Sequence, residues 1–218
     1  MSEQNSLAEQ AYQMIRSQIV RLTLAPGDVL REDVLQEQLR IGRTPIREAL
    51  QRLAREHFVN IIPRRGMIVA GIEVEELALL FETRTVLEPY AARLAAARGN
   101  KTHWEEMARA IALSASADNE ELMAIDHRCH ELMWLAAGNR FLIDTLDVLY
   151  AQSDRLWHLY LSDVADMNDA VDEHRDLLSA LRSGDGERSA KLMEAHVRAF
   201  DSQIRQAVTA RLAAPLTS

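Results

Sequence analysis

The sequence predicts a mainly α-helical fold in two parts, an N-terminal winged helix-turn-helix and a C-terminal antiparallel all-helical bundle. Three observations carry this. Short apolar-periodic segments end in Arg43-Thr44-Pro45-Ile46-Arg47-Glu48-Ala49-Leu50-Gln51-Arg52-Leu53, a helix with arginines along one face. Two short apolar runs then flank Pro63-Arg64-Arg65-Gly66, as a hairpin does. Beyond Gly71 the texture changes to long helical periodicities with few glycines and no convincing strands.

Taken in order, Leu7, Ala11, Met14, Ile15, Ile19 and Leu22 predict a first helix over 6–22, closed by the turn Pro26-Gly27. Val34, Leu35 and Leu39 give a short second helix over 32–40. A turn at Ile41-Gly42 leads to a third helix ending near His57. Proline is tolerated only in a first turn, so Pro45 fixes where that helix starts. Residues 58–62 and 67–71 make the two-stranded wing. Six helices follow at 73–98, 101–117, 119–137, 140–162, 167–183 and 186–212. Pro89 is expected to kink the first of them. Gly99-Asn100, Gly138-Asn139 and Ser183-Gly184-Asp185-Gly186 are expected to end helices as C-terminal caps. The domains are therefore 1–71 and 72–218.

A chain of 218 residues with 48% hydrophobic and 27% charged residues can bury a sizeable core. No run is apolar for long enough to span a bilayer, and the polar N-terminus lacks an export-signal layout. The single cysteine, Cys129, leaves no internal disulfide. A cytoplasmic protein without membrane partners is the expectation. The net charge of −8 is unevenly spread: residues 1–70 carry 10 arginines against 8 acids, and the acidic excess lies in the rest. Seven arginines fall within 40–65 against Glu48 and Glu56. Phosphates feel this local charge, because screening limits the remainder to about 8–10 Å.

The third helix presents Ile46, Ala49, Leu50 and Leu53 to a core and Arg43, Thr44, Arg47 and Gln51 to the other side. That is how a recognition helix meets the major groove of double-stranded DNA. Arginine forks pair with guanine edges or clamp phosphates, and the Thr44 hydroxyl suits a phosphate. Arg64 and Arg65 at the wing tip, with Gly66 permitting close approach, would take a minor groove or backbone. Pro26-Gly27, Leu30, Glu32, Leu39, Arg43 to Leu50 and Arg64-Arg65-Gly66 together resemble the GntR family of bacterial transcriptional regulators. Three departures stand out. Arg40 occupies the usual turn glycine, at a cost of about 1 kcal/mol if it turns left-handed. Gly42 replaces a serine. Asp33 replaces a basic residue that often touches DNA, which implies an altered operator preference.

In the bundle, polar residues interrupt apolar stripes. Asp126 lies within the stripe Leu122, Ile125, Cys129, Met133, Ala136, with His130 about 40° round the axis. His127 falls about 100° away, at the stripe's edge. His174 and His196 occupy core positions of the last two helices. Unpaired, each such group costs several kcal/mol to bury. A divalent cation bound by Asp126, His130, His174 and His196 resolves that cost, with zinc first and nickel or similar metals also suited. The alternative is a structural or pH-sensitive polar network. Arg84 and Glu88 interrupt a further stripe, either as an intrahelical salt bridge or as an effector site in which Arg84 grips a carboxylate. Arg155 is a weaker candidate for the same site, and His103 and His158 read as ordinary.

Arg84-x-x-Leu87-Glu88, Asp126-x-x-x-His130, His174 and His196 resemble the FCD ligand-binding domain of the FadR branch of that family, in its shorter, six-helix subgroup. Cys129 departs from an aromatic often found there and, being small, is expected to enlarge the pocket. The resemblance implies a metal held by those four residues and a small organic acid completing its coordination. It implies a homodimeric, ligand-responsive regulator, repression being the commoner arrangement, that reads a pseudo-palindromic operator. Two other functions stay open: a metal-dependent enzyme fused to a DNA-binding domain, and a constitutive DNA binder with a structural metal.

Overall fold

The computed structural model describes residues 6–71, 74–160 and 167–213. The chain divides into two compact units, Met1–Val74 and Glu75–Ser218. No helix among the described residues is long and apolar enough to cross a membrane.

In the first unit, α1 (Leu7–Val20), α2 (Glu32–Leu39) and α3 (Arg43–Arg55) precede a small antiparallel sheet. Ser6 caps α1 by accepting from the Glu9 amide. The helical spacing of Ala11, Tyr12, Ile15 and Ile19 turns one face of α1 onto Ile46, Ala49, Leu50 and Leu53 of α3, and all eight are buried. The wing strands are β2 (Val59–Ile62) and β3 (Gly66–Val69). A third strand, β1 (Val29–Leu30), was not expected. It pairs with the outer edge of β3, giving the order β1-β3-β2. Two residues carry no alternation, so nothing in the sequence distinguished them from the turn after Gly27.

The second unit holds α4 (Val74–Arg98), α5 (Lys101–Ala112), α6 (Asn119–Ala137), α7 (Arg140–Tyr160), α8 (Asn168–Arg182) and α9 (Gly186–Ala213). Residues 73 and 161–162, expected at helix ends, lie outside the described residues. α4 continues through Pro89 as one helix. The expected helix over 101–117 stops at Ala112 and tightens into a 3-10 turn, Leu113–Ser116. α6 packs on α5, α7 and α8, and its buried face is broader than one stripe, leaving Glu121, Ala124, Arg128, Glu131 and Leu135 on the remaining side. α9 packs on α7 and α8. These contacts bring α6, α8 and α9 together in one core.

Two of the three expected glycine caps hold: Gly138 and Gly184 adopt positive φ of 62° and 72°. Gly99 does not. It approaches Trp104 so closely that a Cβ would lie 2.1 Å from the ring. Asn100 instead starts α5, accepting from the amides of Thr102 and His103, while the His103 ring accepts from the Asn100 amide. His103 thus has a local structural task.

Candidate nucleic-acid interface and metal centre

The reading face of α3 follows from its periodicity. Burying Ile46, Ala49, Leu50 and Leu53 leaves Arg43, Thr44, Arg47 and Gln51 exposed on the opposite side. Gly42, lacking the side chain a serine would bring, gives α3 no side-chain cap. Its first amides therefore receive no side-chain acceptor from the cap position, the condition in which a helix start can take an anion. Arg40 does adopt the left-handed conformation, φ 55°. At the wing tip Arg64 has φ 66° and Gly66 φ 90°, and the Arg65 amide donates to Ile62 across the turn. Arg64, Arg65 and Gly66 are all exposed.

Sequence reasoning missed what holds the arginines. Glu32, at the start of α2, accepts from Arg47 Nε and Nη2 at 3.0 Å each and from Arg43 Nε at 2.9 Å. Its carboxyl is held below the usual range by Arg47 and then Arg43. Among the described residues Glu32 takes Nε and Nη2 of Arg47 and Nε of Arg43, and no bond to Nη1 of either is seen. The signal lay in spacing across two helices, 11 and 15 residues, which no single-helix periodicity reports. Arg52, counted among the basic residues, is instead spent internally: it bonds Glu9 and Glu56 and lies 3.6 Å over the Tyr12 ring. Asp33 pairs with Arg31 at 2.7 Å.

In the bundle, Asp126, His130, His174 and His196 come together, each offering an atom within 4.8 Å of the others, and all four are buried. Asp126 Oδ1 lies 2.7 Å from His174 Nε2 and 3.3 Å from His196 Nε2. His130 Nε2 lies 3.1 Å from His196 Nε2. The outer nitrogens explain this convergence. His130 Nδ1 donates to Glu88 Oε2 at 2.8 Å, and His196 Nδ1 to Glu173 Oε2 at 2.7 Å. A carboxylate only accepts, so each Nδ1 carries a proton, and in the neutral ring each Nε2 is left as a lone pair facing inwards. Two lone pairs facing one another at 3.1 Å need a positive charge between them, a divalent ion or a proton on one of the two rings. Three imidazole nitrogens and one carboxylate oxygen, two of the rings fixed by outer carboxylates, suit zinc or a related divalent ion.

Electrostatics point the same way. Burial acts against charge on His196, but hydrogen bonds to Asp126 and Glu173 raise it to about 9. Burial pushes His174 down to about 4. Asp126 resists its burial because His130 and His174 hold it ionised, well below the usual carboxylate range. In the protein alone, a proton on His196 takes the cation's place.

Arg84 and Glu88 form the intrahelical salt bridge, at 2.6 and 3.0 Å, both fully enclosed. Arg84 also lines a cavity of about 10 Å³ with Asp126, Tyr150, Ser153, His196 and Phe200. That volume admits roughly one water molecule. Glu88 and Arg155, expected beside Arg84 in the effector site, do not line it. Both oxygens of Glu88 are taken, one by Arg84 and one by His130 and Trp134 Nε1, so its position is that of an orienting group. Arg155 is buried, and burial lowers it to about 10. Two contributors were missed, Glu173 and Tyr150, whose hydroxyl donates to Asp126 Oδ2 at 2.6 Å. Glu173 sits on the exposed flank of α8 by periodicity, and its role shows only once α9 is docked.

Residues 7–69 match the bacterial regulatory proteins of the gntR family, and residues 79–199 match the FCD domain. The chain is 26% identical over 202 residues to the HTH-type transcriptional repressor RspR of Escherichia coli, covering 91% of this chain and 89% of that one. Among solved structures, Escherichia coli McbR/YncC superposes with a TM-score of 0.81 at 21% identity, covering 92% and 98% of the two chains. The Zn2+-bound FCD domain of TM0439 superposes at 0.54 with 20% identity, covering 65% of this chain and 99% of that one.

Proposed function

The chain belongs to the GntR family of bacterial regulatory proteins and carries an FCD domain, a transcriptional regulator and not an enzyme; from that premise we propose that it is a cytoplasmic, metal-dependent, acid-responsive repressor. Its first unit reads double-stranded DNA. Arg43, Arg47 and Gln51 take base edges or phosphates, Thr44 a phosphate, and Arg64, Arg65 and Gly66 the neighbouring groove. Two copies related by a twofold axis read a pseudo-palindrome. Repression is the activity named for RspR, and it is carried to this chain as part of the proposal.

The second unit holds a divalent cation through Asp126, His130, His174 and His196. The observation that supports this most is the pair of inward-facing Nε2 atoms of His130 and His196, 3.1 Å apart, with both outer nitrogens committed to carboxylates. The Zn2+-bound domain of TM0439 is a precedent in the same fold. A bound cation would supply a Lewis-acid anchor for a small carboxylate. Arg84 gives the second grip, its guanidinium kept in place by Glu88. The narrow cavity beside Arg84 must widen to admit an acid. The acid shifts operator binding only by preferring one conformation of the chain over another.

A screen of mono-, di- and tricarboxylates against the zinc-loaded chain tests this. One acid should raise the melting temperature and release a selected operator fragment. If no acid alters either, the metal is structural and DNA binding constitutive. A second reading is favoured by one observation, the paired carboxylates around His196: a protonated, metal-free polar network. Absence of stoichiometric metal uptake would select it.

A further inference from the structure

Tyr150 divides the two oxygens of Asp126. Its hydroxyl donates to Oδ2 at 2.6 Å, whereas Oδ1 faces His174 Nε2 at 2.7 Å and His196 Nε2 at 3.3 Å. Oδ2 stands 3.8 Å from His130 Nε2. The phenol ring has little freedom to leave. His127 stacks on it at 4.5 Å with an interplanar angle of 12°, Trp134 packs edge-on at 5.9 Å, and the Arg84 guanidinium lies 5.2 Å from its centre. The ring is almost fully enclosed, and Tyr150 lines the cavity that Arg84, Asp126 and Ser153 share.

A carboxylate beside a metal can offer one oxygen or chelate with both. We propose that Tyr150 is a positioning residue that holds Asp126 to one donor oxygen, and so keeps a coordination position open towards the cavity beside Arg84. The inference rests on the metal reading above and adds what that reading lacks: a reason why the four residues leave room for an acid. His127, at the edge of the α6 stripe, then has a task too, since its stacked ring sets the tilt of the phenol.

The test loads the full-length chain and its Tyr150→Phe variant with Co2+ and follows the d–d absorption, which weakens as coordination number rises. Acetate is then titrated as the probe acid. The wild-type spectrum should respond to acetate. The variant should keep its cobalt, show the weaker absorption of a chelating carboxylate, and bind acetate about 10- to 100-fold more weakly. An unchanged variant spectrum with an unchanged acetate titration would overturn the role of Tyr150 while leaving the metal site intact. A wild-type chain that takes up no cobalt would end the metal reading and this inference together. Should the variant not fold, the infrared carboxylate bands of the unaltered cobalt-loaded chain decide: widely split bands support a one-oxygen ligand, and narrowly split bands overturn it.

Discussion

At the scale of single residues, the protein places charge where a partner must complete it. His196 is raised to about 9 and His174 lowered to about 4, from an ordinary value of 6.5. The sign follows from linkage. The charged His196 stabilises the metal-free fold fully below pH 6.5, and that contribution is lost as pH rises through 9. Neutral His174 contributes above pH 6.5, and its share is lost as pH falls through 4. The metal-free chain should therefore melt highest near pH 6.5 and lower on both sides, measured by thermal denaturation across that range. On the DNA side, Arg47→Ala should weaken binding to a selected operator fragment by about 1–3 kcal/mol in an anisotropy titration, with metal uptake unchanged. Loss of both would deny that the two units have separate tasks. The sequence made Arg47 and the four clustered residues Asp126, His130, His174 and His196 legible because each breaks or faces an apolar stripe. Glu32, Glu173 and Tyr150 stayed hidden because each acts on a residue of another helix, and spacing within one helix carries no news of that.

At the scale of elements, helix boundaries were legible where a terminus is encoded locally. Asp118 caps α6 by accepting from the Glu121 amide, with the Glu121 side chain returning to the Asp118 amide, and Gly138 ends the helix in the left-handed region. Gly99 misled because a glycine before a helix start looks like a C-terminal cap, whereas its small size serves the Trp104 ring packed against it. The two glycines should therefore behave differently on substitution. Gly138→Ala meets no neighbour within 4 Å and should cost about 1 kcal/mol, from positive φ alone. Gly99→Ala places a methyl inside the Trp104 ring and should cost more, since the buried indole must move. Chemical denaturation of both variants orders them. A smaller loss at Gly99 would mean that α5 shifts freely. β1 was illegible for another reason: two residues offer no period to read.

At the scale of the whole molecule, one chain joins an arginine-bearing reading head to a buried, three-histidine cluster, and the family assignment covers both. The net charge concealed this, because an acidic bundle outweighs a basic N-terminal region of 70 residues. His174→Ala should remove metal binding and the response to acids while leaving operator binding by the first unit. Metal removal should lower the melting temperature; at about 100 times the Kd, bound zinc adds about 2.7 kcal/mol. The central claim is that a cation joins the four inward-facing ligand atoms in place of the proton on His196. Calorimetric titration of zinc into the metal-free chain at pH 7, repeated in buffers of different ionisation enthalpy, tests it most directly. One zinc per chain should bind with release of about one proton, and His174→Ala should abolish the event. Binding without proton release, or uptake that survives His174→Ala, would place the metal elsewhere.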